Sequence, residues 1–85
     1  NVPVQMFCAV DRTGMITPLQ FRFELSGHRV ELIKIERTLS RDEKNYVGIR
    51  ERQYICSAVM EGARRLLELR LDVESQRWRI FQFLS

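Results

Sequence analysis

The segment Leu19 to Glu36, LQFRFELSGHRVELIKIE, limits the folds open to this chain more than any other. Apolar and charged residues alternate on both sides of Ser26-Gly27, a dipeptide suited to a two-residue hairpin turn. With that turn, Leu25 faces His28, Glu24 faces Arg29, Phe23 faces Val30, Arg22 faces Glu31 and Phe21 faces Leu32. From Glu24 onward apolar meets apolar and each charge meets its opposite. Successive side chains on a strand point to opposite faces, so a one-residue slip sets charge against phenylalanine. The segment is therefore expected to form a β-hairpin with one apolar face.

The same patterning extends along the chain. Val2, Val4, Met6, Cys8 and Val10 share a face, and Asp11-Arg12-Thr13-Gly14 supplies a turn with Gly14 placed for a left-handed conformation. Pairing Asp11 with Gly14 sets Met6 against Leu19, Val4 against Phe21 and Val2 against Phe23. In the third strand the apolar phase moves from Val30 and Leu32 to Ile33 and Ile35, which predicts a β-bulge near Leu32-Ile33. The polar stretch between Leu39 and Tyr46 reads as a solvated loop, with Ser40 and Glu43 at capping-box spacing for a single helical turn. A fourth strand runs from about Val47 to Met60 and turns at Glu61-Gly62. Leu67, Leu69, Leu71 and Val73 alternate with charges as a strand does, although Ala63, Leu66, Leu67, Arg70 and Leu71 also trace a helical stripe. The last hairpin, turning at Glu74-Ser75, sets Asp72 opposite Arg77, Leu71 opposite Trp78, Arg70 opposite Arg79 and Leu69 opposite Ile80. The Arg70/Arg79 pair then needs Glu68 or Asp72 on the diagonal. Phe81 and Phe83 leave the face of Trp78 and Ile80 unless a further bulge intervenes.

The expected fold is all-β: one small domain over residues 1–85, an antiparallel meander of about six strands forming a barrel or a two-layer sandwich. The alternative is α+β, if residues 63–73 are helical. No apolar run approaches the ~20 residues of a membrane-spanning helix, so no membrane partner is expected. Cys8 and Cys56 form no CxxC pair and read as buried thiols of a reducing, cytoplasmic protein.

The chemical inventory is poor. A catalytic triad needs a positioned imidazole, and the single histidine, His28, lies beside a turn. Asp42-Glu43 sits in polar surroundings that would not raise a carboxyl pKa. One histidine and two separated cysteines do not make a zinc site, and Gly14, Gly27, Gly48 and Gly62 stand alone rather than in a phosphate-binding loop. The expectation is a non-catalytic domain with no cofactor and no metal.

Binding is the better expectation. Phe7, Ala9, Ile55, Val59, Phe81 and Phe83 run out of phase with the main apolar face; in a closed barrel a contiguous patch of that kind marks an interface, and in a sandwich some of them supply a second core layer. Phe7, Ile55, Val59, Phe81 and Phe83 are the candidate interface residues, for a protein partner or a homodimer. Twelve arginines stand against two lysines at a net charge of +3. This makes single-stranded nucleic acid the alternative partner, contacted by Arg64, Arg65, Arg77 and Arg79 with Phe81 and Phe83 as stacking platforms. A solvated, internally paired charged face accounts for the same arginines.

The order of Ile16-Thr17-Pro18-Leu19 with Phe21 and Phe23, Gly27 with Val30, Gly48 with Arg50, and Arg77-Trp78 with Ile80 resembles a group of small, uncharacterised bacterial all-β domains. The resemblance implies the same small β fold in a bacterial protein and brings no functional residues with it.

Overall fold

The structure, a computed structural model, describes residues 1–24 and 26–85. Six antiparallel strands, β1 (Val2–Val10), β2 (Ile16–Glu24), β3 (Val30–Tyr46), β4 (Ile49–Met60), β5 (Ala63–Asp72) and β6 (Trp78–Phe83), close in chain order into a barrel. Closure comes from Val2, Pro3 and Val4 of β1 pairing with Ile80, Arg79 and Trp78 of β6. Ala63–Asp72 is a strand, so the helical stripe is overruled: in the strand, Leu67, Leu69 and Leu71 all enter the core. The core is built from Phe21, Ile33, Tyr54, Cys56, Ala58, Met60, Leu67, Leu69, Leu71, Trp78 and Ile80.

The hairpin of β5 and β6 has the expected register, with Leu71 opposite Trp78, Arg70 opposite Arg79 and Leu69 opposite Ile80. The bulge also forms. Pairing shifts between Glu68 and Leu69, leaving Phe81 as the extra residue, so Phe83 returns to the inner face against Leu67. There its ring meets Phe23 edge-on, centroids 6.3 Å apart.

The two N-terminal hairpins differ from their expected registers. Between β2 and β3 the pairs are Glu24↔Val30, Phe23↔Glu31, Arg22↔Leu32 and Phe21↔Ile33, one residue from the expected alignment. The expected Leu25–His28 pairing lies outside the described residues. A connection longer than two residues, with Gly27 and His28 at φ 80° and 61°, turns β3 over. Val30 and Leu32 consequently face out, while Ile33 and Ile35 point inward without a bulge at Leu32-Ile33. Burying Ile33 and Ile35 at mid-barrel outweighs burying Val30 and Leu32 near its end. The cost falls on Glu31, which shares the inner face opposite Phe23 with Oε2 buried and unpaired. Neither Arg22–Glu31 nor Glu24–Arg29 is an ion pair among the described residues; Glu24 instead meets His28 Nδ1 at 2.8 Å.

In the first hairpin the pairs are Met6↔Phe21, Phe7↔Gln20 and Cys8↔Pro18, with Leu19 as the extra residue. Gly14 takes its left-handed conformation at φ 87°, and the Asp11 carboxylate accepts from the Thr13 and Met15 N–H groups. Cys8 is exposed rather than buried, because this end of β1 runs beyond its pairing with β6; Cys56 is buried and both are free thiols.

The largest departure concerns residues 39–46. They form no loop: β3 continues through them for 17 residues and pairs with β4 to the Val47-Gly48 turn. Cross-strand neighbours Glu43/Arg52 and Lys44/Glu51 are of opposite charge, which favours the ladder. All of residues 41–50 are exposed. They form an arm at the barrel end that also carries the β1–β2 and β5–β6 turns.

Candidate functional site

β2 and β3 are paired from Glu24↔Val30 to Gln20↔Lys34 and then part. Above that point β2 follows β1 and β3 follows β4. Register shifts between Ile35 and Arg37 and between Thr38 and Ser40 bend β3 away, as bulges do. The divergence leaves a cleft of about 390 Å³ at the arm end. One wall is the β1–β2 turn with Thr13, Gly14, Met15 and Ile16; the other holds Arg41, Asp42 and Glu43 of β3 with Arg52 and Tyr54 of β4.

Two hydrogen bonds span the base of the cleft. The Tyr54 hydroxyl donates to the Ile16 carbonyl at 3.0 Å, and Arg41 Nη2 donates to Thr17 Oγ1 at 2.9 Å. Tyr54 is almost wholly buried, its ring 5.2 Å from that of Trp78, so burial pushes its hydroxyl pKa up. Arg41 and Tyr54 are cross-strand neighbours, as are Glu43 and Arg52, and all four share one face of the arm. The carboxylates are already engaged. Glu43 meets Arg50 at 3.0 Å, and Asp42 meets Lys44 at 3.2 Å, the Glu43 N–H and Lys44 together lowering the Asp42 pKa. Arg41 and Arg52 have no carboxylate partner among the described residues. Two permanently charged guanidiniums hold anions rather than move protons.

The candidate residues from the sequence are dispersed. Arg64 is paired with Glu36, donating from Nε at 2.8 Å and from Nη2 at 3.2 Å, and this holds the Glu36 carboxyl below its ordinary pKa. Arg65 donates to the Ser85 carbonyl and lies 4.5 Å over the Phe83 ring. Arg79 is bound to Glu51, and Arg77 stands exposed at the β5–β6 turn. Phe81 is half-buried under Arg70, whose guanidinium carbon is 4.0 Å from the ring centroid. Phe83 packs against the core and Ile55 is half-buried. Phe7 and Val59 are exposed, on β1 and β4 respectively, and Phe7 lies beneath Arg22.

The outer wall of β4–β6 carries a charge network. Glu51 accepts from both Arg70 and Arg79, Glu68 accepts from Arg70 Nε at 2.6 Å and from Gln82 at 3.0 Å, and Glu68 is buried. Arg79, then Arg70, draw the Glu51 pKa down. Burial pushes Glu68 up, but hydrogen bonds from Gln82, Gln53 and Arg70 bring it below its ordinary value. Among the described residues, no three His, Cys, Asp or Glu side chains gather as a metal site. Comparison with protein-family models, curated proteins and solved structures finds no match for this chain.

Sequence reasoning missed Arg41, Arg52 and Tyr54 as a group, and also Tyr46, Val47 and Ile49 at the arm tip. The available signal was Val47-Gly48 as a two-residue turn, from which Glu43/Arg52 and Lys44/Glu51 align as opposite charges.

Proposed function

We propose that this chain is a non-catalytic interaction domain, self-associating or protein-binding, that engages its partner with the β3–β4 arm. The supporting observation is the arm tip. Tyr46, Val47 and Ile49 are 78%, 85% and 55% exposed, and Val47 and Gly48 occupy the two central positions of the turn at φ 51° and 80°. Positive φ at both positions is the pattern of a type I′ turn, which favours Asn-Gly. A β-branched residue there is strained, by about 1–2 kcal/mol. An apolar side chain held in strain and in solvent fits a contact role better than a folding role.

Light scattering over a range of concentrations tests the reading, with Val47→Asn as the variant. Dimer formation by the native chain, weakened in the variant, supports self-association through the tip. A strictly monomeric mass at high micromolar concentration removes self-association. Oligonucleotide binding that falls steeply with salt would favour the nucleic-acid alternative instead.

A further inference from the structure

We infer that the cleft between the Asp11–Met15 turn and the arm receives an extended acidic peptide segment, added as a strand along the free edge of β3. The inference deepens the arm-based reading above and rests on it.

Three observations converge on this occupant. The first is main-chain capacity. Ile35–Tyr46 pair with β4 on one side, and on the other the ladder to β2 ends at Lys34. An unpaired edge offers alternating N–H and C=O groups to an incoming strand, the basis of strand addition in peptide recognition.

The second is charge. Arg41 and Arg52 face the cleft without carboxylate partners among the described residues, while Glu43 is neutralised by Arg50 and Asp42 by Lys44. An added strand places every second side chain on the Arg41 face. Carboxylates at those positions meet guanidinium donors, which bind them in charge-assisted, often bidentate, hydrogen bonds.

The third is shape. Met15 and Ile16 supply an apolar wall opposite the arginines, suiting a strand with apolar residues between its acidic ones. Single-stranded nucleic acid is less well matched, since it requires exposed aromatic faces for stacking and Tyr54, the one aromatic lining the cleft among the described residues, is buried.

Nitrogen-detected NMR of the full chain tests this with an acetylated, amidated heptapeptide of sequence Thr-Glu-Val-Glu-Val-Glu-Thr, its Gln-for-Glu counterpart, and a short oligonucleotide. The acidic peptide is expected to shift the Arg41 and Arg52 Nε signals and the backbone amides of residues 40–46. It is expected to bind about tenfold or more tightly than the Gln peptide, a preference of about 1.4 kcal/mol or more. An R41Q/R52Q double variant is expected to lose that preference while keeping the native backbone amide pattern outside the cleft. Equal binding of the two peptides, an unchanged preference in the double variant, or no shift at millimolar peptide overturns the inference. So does a stronger response of the same signals to the oligonucleotide. Val47→Asn keeps the two readings separable: a changed mass with no peptide response leaves the arm-tip reading standing and removes only the cleft.

Discussion

The Tyr54 hydroxyl donates to the carbonyl oxygen of Ile16 at 3.0 Å, tying β4 to the end of β2 where β2 and β3 have separated. The residues are 38 positions apart in the chain, and the bond sits at the floor of the cleft. Tyr54→Phe preserves the ring packing against Trp78 and removes this bond alone. A loss of about 1 kcal/mol in denaturant unfolding is expected, with faster amide exchange in residues 15–17. No change in either would mean that the bond does not hold the cleft together.

Glu51 is the shared acceptor of two arginines that would otherwise repel across the β5–β6 ladder. Glu51→Gln removes the charge but keeps the shape, at an expected cost of about 2 kcal/mol because both guanidiniums are largely buried. Replacing Glu51 and Arg79 together by apolar residues, with Arg70 still held by Glu68, is expected to recover most of that loss. Thermal unfolding of the two variants makes the comparison.

The same pair sets an acid limit. The Glu51 pKa is lower in the folded chain than its ordinary value of 4.5, so the folded state binds fewer protons than the unfolded one. Its stabilisation is therefore complete above about pH 4.5 and is lost as pH falls through the lower folded value. Glu68 acts in the same direction. Unfolding free energy between pH 5 and 2 should decline less steeply in Glu51→Gln than in the native chain; parallel slopes would exclude this assignment.

Phe81 and Phe83 provide a test of the bulge in β6. Phe83→Ala is expected to cost about 2–3 kcal/mol, below the range for a fully buried phenylalanine because the ring is half-buried. Phe81→Ala forfeits mainly the stacking of Arg70, worth about 1 kcal/mol. Chemical denaturation ranking Phe81 above Phe83 would place the wrong ring inside the barrel.

Val47→Asn is expected to stabilise the fold by about 1 kcal/mol, since asparagine tolerates the left-handed conformation. A higher melting temperature accompanied by weaker association would separate the contact role of Val47 from its cost to the turn.

Local features of the chain carried much of the fold. Leu67–Leu71 against Trp78 and Ile80 specifies the last hairpin, register included, because its short turn and alternating faces leave one alignment that buries every apolar residue. The need of Arg70 and Arg79 for a nearby carboxylate was legible, and Glu68 serves it for Arg70. Glu51 was not legible, because it lies 19 and 28 positions away from its partners. The cleft was illegible for a related reason. Arg41 and Arg52 read as members of a mixed charged stretch, and only the pairing of β3 with β4 shows which arginines are left without carboxylates.

The Leu19–Glu36 hairpin marks the boundary most clearly. By itself the sequence favoured an all-β chain of six antiparallel strands in chain order and placed most of its turns, since these follow from alternation and turn chemistry within a few residues; it left residues 63–73 open to a helix. Tertiary structure alone decided that β3 turns over so that Val30 and Leu32 face out, that β3 continues as an arm, and that Phe83 points inward while Phe81 lies under Arg70. The inversion of β3 and the placement of Phe83 each depend on one residue of loop length or one bulge. Such single-residue choices are balanced locally, and packing against strands distant in the chain decides them.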